Sequence, residues 1–221
     1  MPAVVLCDLD GTLVDSAADL AAALNRLLGE AGRDAVTVEA VRGMVGHGVE
    51  KLVRRGFRHA GAALDDADVP AQVARFLALY EADPVAHSRP YPGVVDTLQT
   101  LRTAAHPLGV VTNKPQAASE AVLRGLGLDR YFAAVAGGDR FPVRKPDAGH
   151  LRGTLELMGA AGAPAVLVGD SSTDAETGRN AGIPVILVTY GYSREPVETL
   201  GADRVIARFA ELPDALADLA R

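Results

Sequence analysis

Short runs of β-branched and aliphatic residues, each stopping at a turn or polar residue and each followed by helix-like periodicity, constrain this chain more than any other feature. They are Ala3–Cys7, Leu108–Thr112, Ala133–Ala136, Ala165–Val168 and Val185–Val188. Runs that are apolar at successive positions, rather than at every second one, suit strands covered on both faces. Alternation with helices makes neighbouring strands parallel, because a parallel pair needs a crossover long enough to hold a helix. The expected fold is α/β: a doubly wound, Rossmann-like parallel sheet with helices on both sides. Ligands in such folds sit outside the carboxyl ends of the strands.

The alternation breaks between Ser16 and Ala86. Ser16 followed by Asp19 reads as a capping box, and Leu20, Leu24, Leu27 and Leu28 then fall on one helical face. Gly and Pro punctuation predicts further helices at Thr37–Met44, Gly48–Arg58 and Pro70–Ala82. We read residues 16–86 as an all-helical insertion after the first strand of an α/β core made of residues 1–15 and 87–221. The return through His87-Ser88-Arg89-Pro90-Tyr91-Pro92-Gly93 has the composition of a linker.

Composition narrows the partners. With 221 residues, 48% of them hydrophobic, the chain can bury a substantial core. A formal charge of −6 argues against nucleic acid or an anionic membrane as a partner, since either favours a basic face. One cysteine, Cys7, excludes an intrachain disulfide and suits a reducing cytoplasm. The first residues lack the basic segment of a secretory signal, and the apolar runs fall short of the roughly 20 residues that span a bilayer.

The chemistry gathers where the strands end. In Asp8-Leu9-Asp10-Gly11-Thr12 an extended backbone sends Asp8 and Asp10 to the same face, roughly 6.6 to 7 Å apart. Gly11 lets the chain turn away, and Thr12 offers a hydroxyl or amide nearby. A second acidic group, Gly169-Asp170-Ser171-Ser172-Thr173-Asp174, follows a later strand. If Asp170 lies beside the first pair, the repulsion among the carboxylates calls for a cation, and magnesium prefers such hard oxygen ligands. Thr112 and Asn113 can bind phosphoryl oxygens, and Lys145 can offset charge on a transferred group and pair with a nucleophilic carboxylate. A nucleophile, a metal site, hydrogen-bond donors and a lysine make a phosphoryl-transfer set. The bland alternatives are turn-forming aspartates, a first-turn acid at Asp174, a β-branched strand residue at Thr112 and a solvated lysine at Lys145. Four motifs in order outweigh them. Cys7 reads as a small buried strand residue without a role, and Arg54, Arg55 and Arg58 as a solvated helix face that could attract an anion.

The chain resembles the phosphatases of the haloacid dehalogenase superfamily, specifically the phosphoglycolate phosphatase group, along its whole length. The resemblance rests on Asp8-Leu9-Asp10-Gly11-Thr12, Thr112-Asn113-Lys114, Lys145-Pro146 and Gly169 to Asp174 in that order, with the helical block in place of a mobile cap. It implies that Asp8 attacks phosphorus and that Asp10 acts as general acid and then base. It also implies that Asp8, the Asp10 carbonyl and Asp170 hold Mg2+, with Asp174 a ligand through water or a partner behind the ligands. Thr112 and the Asn113 amide would bind phosphoryl oxygens, while Lys145 neutralises charge. Two weaker matches to the same group are the cap segment Val45-Gly46-His47-Gly48-Val49, which makes Gly46 and His47 candidates for substrate contact, and Tyr190-Gly191-Tyr192 after the last strong strand. A second proline expected soon after Pro146 is missing. The implied activity is hydrolysis of a small phosphorylated metabolite, with 2-phosphoglycolate leading, by a cytoplasmic monomer or homodimer. A dehalogenase has no use for the acid at Asp10, because a halide leaves without a proton. A phosphosugar mutase would differ only in its cap contacts, and a non-enzymatic module would be free to lose a motif residue.

Overall fold

The structure is a computed structural model and describes residues 3–220, so residues 1, 2 and 221 of the expected core segments lie outside it. In chain order the elements are β1 (Val4–Cys7), β2 (Val14–Asp15), α1 (Ala17–Glu30), α2 (Val38–Arg42), α3 (Val49–His59), α4 (Val69–Glu81), β3 (Arg89–Pro90), α5 (Val94–Thr103), β4 (Leu108–Val111), α6 (Gln116–Gly125), β5 (Ala134–Ala136), α7 (Ala148–Leu157), β6 (Ala165–Gly169), α8 (Ser172–Ala181), β7 (Val185–Val188), β8 (Arg204–Ile206) and α9 (Leu212–Leu219). Every strand run expected from the sequence forms, Val185–Val188 with the expected ends and the others with one end shifted by a residue. The short β8 and the terminal α9 were not anticipated.

Six strands form one parallel sheet in the order β5-β4-β1-β6-β7-β8. Strands β1, β4, β6 and β7 are buried at every position, as unbroken apolar runs require. Each Val or Leu so covered contributes roughly 1.5–3 kcal/mol of transfer free energy. The register then fixes the site. Cys7 pairs with Val110 of β4 and Val168 of β6, so Asp8 emerges one residue past that line and Thr112 and Asp170 two residues past it. All three leave the sheet at its carboxyl edge.

Helices α1–α4 pack on one another, with Leu20, Leu24, Leu27 and Leu28 of α1 buried alongside Phe76, Leu79 and Tyr80 of α4. The chain enters and leaves this block through an antiparallel ribbon in which Val14 opposes Pro90 and Asp15 opposes Arg89. The capping box expected at Ser16 and Asp19 does not form. Ser16 Oγ donates instead to Asp10 Oδ1 at 2.6 Å, and Asp19 accepts from His87 N–H, Ser88 N–H and Ser88 Oγ of the returning linker. Both side chains find partners outside the helix, a carboxylate for Ser16 and buried backbone donors for Asp19, and these bonds outweigh a local cap. A true capping box starts α8, between Ser171 and Asp174.

Candidate active site

Asp8 lies at the tip of the central strand, buried, with its Oδ1 accepting from Leu9 N–H at 2.7 Å and Lys145 Nζ at 3.0 Å. Lys145 reaches it from the loop between β5 and α7 and is 3% exposed. Its ammonium also donates to Asp174 Oδ1 at 2.6 Å. Burial alone would lower the lysine pKa, but Asp174 and Asp8 together hold it above its ordinary value. Burial pushes the Asp8 carboxyl up to about 6, with Lys145 holding it back and Asp174 adding to the rise. The lysine loop is tied down by His150, whose Nδ1 accepts from Lys145 N–H at 3.1 Å while Nε2 faces Gly137 O at 3.1 Å. Asp147 caps α7 by accepting from Gly149 N–H at 2.7 Å. These bonds hold the turn for which a second proline was expected.

Asp8, Asp170 and Asp174 each present a carboxylate oxygen within 4.8 Å of the others. Three buried acids share one lysine, which leaves excess negative charge. Burial, then Asp174 and Asp8, pushes the Asp170 pKa well above its ordinary value. A hard divalent cation would relieve this, so the oxygen donors fit Mg2+. The three acids are not equivalent. Both oxygens of Asp174 are engaged: Oδ1 by Lys145, Oδ2 by Ser171 Oγ at 2.7 Å and by the N–H groups of Asp170 and Ser171 at 3.2 Å. Asp170 is held by Tyr192 N–H at 2.6 Å and by a long 3.5 Å contact from Thr12 Oγ1. Glycine is required on both sides of it, because a side chain at Gly11, where φ is +86°, or at Gly191 would run into Asp170.

Asp10 stands apart from this trio. Its carboxylate accepts from Ser16 Oγ and from Lys114 Nζ, the latter at 3.2 Å to each oxygen. Asp8, Asp10, Thr112, Asn113 and Lys114 line one side of a cavity of about 50 Å³, and Gly46, Gly48, Val49, Leu52, Phe76, Leu77 and Tyr80 of the helical block line the other. The Asn113 side chain has another task than the phosphoryl contact expected of it. Its NH2 donates to Gly46 O at 3.1 Å and to Lys145 O at 3.0 Å, which joins three segments of the site. His47 lines a separate, wider opening with Lys51, Arg144 and Lys145. Arg55 is not a free surface cation, since it donates to Met44 O at 2.8 Å and braces the loop that carries Gly46 and His47. Cys7 is buried in β1, and burial pushes its thiol up to about 12.

Sequence reasoning assigned no site role to Ser16, Lys114, His150 or Tyr192. Tyr192 Oη donates to Asp15 Oδ1 at 2.6 Å and accepts from Ser16 and Ala17 N–H at 2.8 and 3.0 Å, clasping the strand that enters the helical block. The Tyr190-Gly191-Tyr192 motif was the available signal. Nothing in local sequence marked His150.

A family model described as haloacid dehalogenase-like hydrolase matches residues 5–188. A phosphoglycolate phosphatase of Caulobacter vibrioides is 46% identical over 213 residues, covering 96% of this chain and 90% of the relative. One of Rhodospirillum rubrum is 46% identical over 220 residues, covering 98% and 91%. A crystal structure described as a predicted phosphoglycolate phosphatase from Haemophilus somnus superposes with a TM-score of 0.90 at 29% identity, covering 97% of each chain.

Proposed function

The chain belongs to the haloacid dehalogenase-like hydrolase family, and from that premise we propose that it is a magnesium-dependent phosphatase that hydrolyses 2-phosphoglycolate to glycolate and phosphate. The observation that carries this reading is the pairing of Asp8 and Asp10 on one small cavity, backed by an acid cluster that needs a cation. The names of its relatives supply the substrate.

In this reading Asp8 attacks phosphorus, the bond from phosphorus to the ester oxygen breaks, and Asp10 gives that oxygen its proton. Asp10 then takes a proton from water, whose oxygen attacks the aspartyl-phosphate and releases Asp8 and phosphate. Thr112 Oγ1 and Asn113 N–H orient the phosphoryl oxygens, and Lys145 balances their charge while fixing Asp8. Asp8, Asp170 and the Asp10 carbonyl would hold the Mg2+, which supplies electrostatic stabilisation of the transferred group when bound. Asp174 works from behind, because its oxygens are taken by Lys145 and the start of α8. Residues 16–86 act as a cap that limits the organic part of the substrate. A cavity of about 50 Å³ is far below the several hundred that drug-sized ligands fill, which suits a two-carbon group.

Phosphate release from a panel of small monoesters, with Mg2+ and with a chelator, tests the proposal. Turnover of 2-phosphoglycolate that chelation abolishes is the expected result. Release that survives chelation removes the metal, and a preference for larger esters removes the substrate.

A further inference from the structure

The cavity wall contributed by the helices is apolar, built from Val49, Leu52, Phe76 and Leu77. Among the described residues that line the cavity, Lys114 alone carries a positive charge. Its side chain is 4% exposed. It bonds both oxygens of Asp10, and its ammonium lies 4.4 Å from the centre of the Tyr80 ring on α4. Asp10 meets the buried charge of Lys114, as a lysine so placed requires, and the lysine lines the cavity, where an anionic group of the substrate can reach it. Charge on the transferred phosphoryl group does not explain Lys114, since Lys145 serves that end of the site through Asp8. Lys114 lines the cavity together with Val49, Leu52, Phe76 and Leu77, the apolar wall against which the organic half of the substrate would lie.

We propose that Lys114 is the specificity-determining residue, whose ammonium pairs with a carboxylate one carbon away from the ester oxygen. The inference rests on the phosphoglycolate reading and deepens it. A carboxylate arriving between Lys114 and the apolar wall competes with Asp10 for the ammonium. Asp10 is then left with Ser16 and faces the leaving oxygen. An ester of the same length without the carboxylate leaves the lysine on Asp10 and gains nothing from it. The ring of Tyr80 steadies the ammonium in either position, as a cation over an aromatic face does.

The test compares kcat/KM for 2-phosphoglycolate and for ethyl phosphate, which matches its length but lacks the charge, in the wild type and in Lys114→Met. The wild type should favour phosphoglycolate by about 10²-fold or more, the scale of a buried charge pair losing one partner. In Lys114→Met the ratio should fall below about tenfold, and Lys114→Arg should restore part of it. A ratio preserved in Lys114→Met overturns the proposal, because a residue acting only on Asp10 changes both substrates together. Binding of glycolate by calorimetry gives a readout free of turnover. Glycolate that binds the wild type and not Lys114→Met supports the assignment even if no ester is hydrolysed, a result that would remove the phosphatase reading alone. Glycolate that binds both proteins equally, or neither, sinks the assignment whatever the rates. Lys114→Gln replaces Lys114→Met if the latter folds poorly.

Discussion

The strand-end loops and the helical block meet across one cavity, yet they satisfy their polar atoms in opposite ways. At the strand ends the side chains of Asp8, Lys145, Asp174 and Ser171 bond one another, the backbone N–H of Asp170 joins them, and its carboxylate is held by Tyr192 N–H. The helices give the cavity apolar side chains and the bare backbone of Gly46 and Gly48. In a bonded network a single loss strands a buried charge, whereas in an apolar wall a lost methyl group is tolerated. The strand-end side is therefore intolerant of change, while the size of group the cavity admits is adjustable on the helical side.

The sharpest way to break this comparison is at Asp8, the proposed nucleophile. Asp8→Asn should lower kcat by about 10⁴-fold or more, with the fold intact by circular dichroism; retained turnover would place the chemistry elsewhere. Next is Asp174→Asn, which takes from Lys145 the partner at 2.6 Å. Unfolding in urea should show a loss of about 3–5 kcal/mol, the cost of breaking a buried pair. A loss below about 1 kcal/mol, as surface pairs give, would mean that Asp174 is dispensable as an anchor.

His150 sharpens the same point through pH. Burial pushes its pKa from 6.5 down to about 4, and the nearby Lys145 ammonium adds to the fall. The unfolded chain thus binds a proton that the folded chain refuses between those values. Stability is complete above about pH 6.5 and declines as pH falls towards 4, by up to about 3 kcal/mol in total. Thermal melts of the wild type and of His150→Gln across that window check it; parallel pH profiles would clear His150 of the effect. The smallest expected effect lies in the cap. Leu77→Ala should raise KM by about fivefold and leave kcat within about twofold, since it removes contact with the substrate in ground and transition states alike. A fall in kcat as large as the rise in KM would give the helices a part in the chemistry.

The two regions were also unequally legible in the sequence. Asp8, Asp10, Thr112, Lys145, Asp170 and Asp174 stood out because a strand ending in an acid, a hydroxyl or a lysine is visible within a few residues. The apolar runs of β1, β4, β6 and β7 gave the sheet for the same reason, and four-leucine periodicity gave α1. Ser16 misled because its local pattern allowed a cap, while the decisive partners, Asp10 and Tyr192, are set by the folded chain; Tyr192 is 176 positions away. Lys114 looked like a residue trailing its motif until α4 brought Tyr80 over it. His150 could be found only after the loop bearing Lys145 had closed on α7. The short β8 opens on Arg204 and has only two apolar residues, so it makes no apolar run of the kind that marks the other strands.

The ribbon of β2 and β3 carries a consequence for ancestry. Opposed residues in an antiparallel pair lie about 4.5–5.5 Å apart, so the helical block begins and ends at nearly one point of the core. A segment with coincident ends can be lengthened, shortened or exchanged for another without rethreading the sheet, and the sheet retains its register throughout. Recombination at Val14–Asp15 and Arg89–Pro90 would change what the enzyme admits and leave Asp8, Lys145 and Asp174 where they are. Selection on substrate range could thus proceed by trading one cap for another while the catalytic scaffold is inherited unchanged.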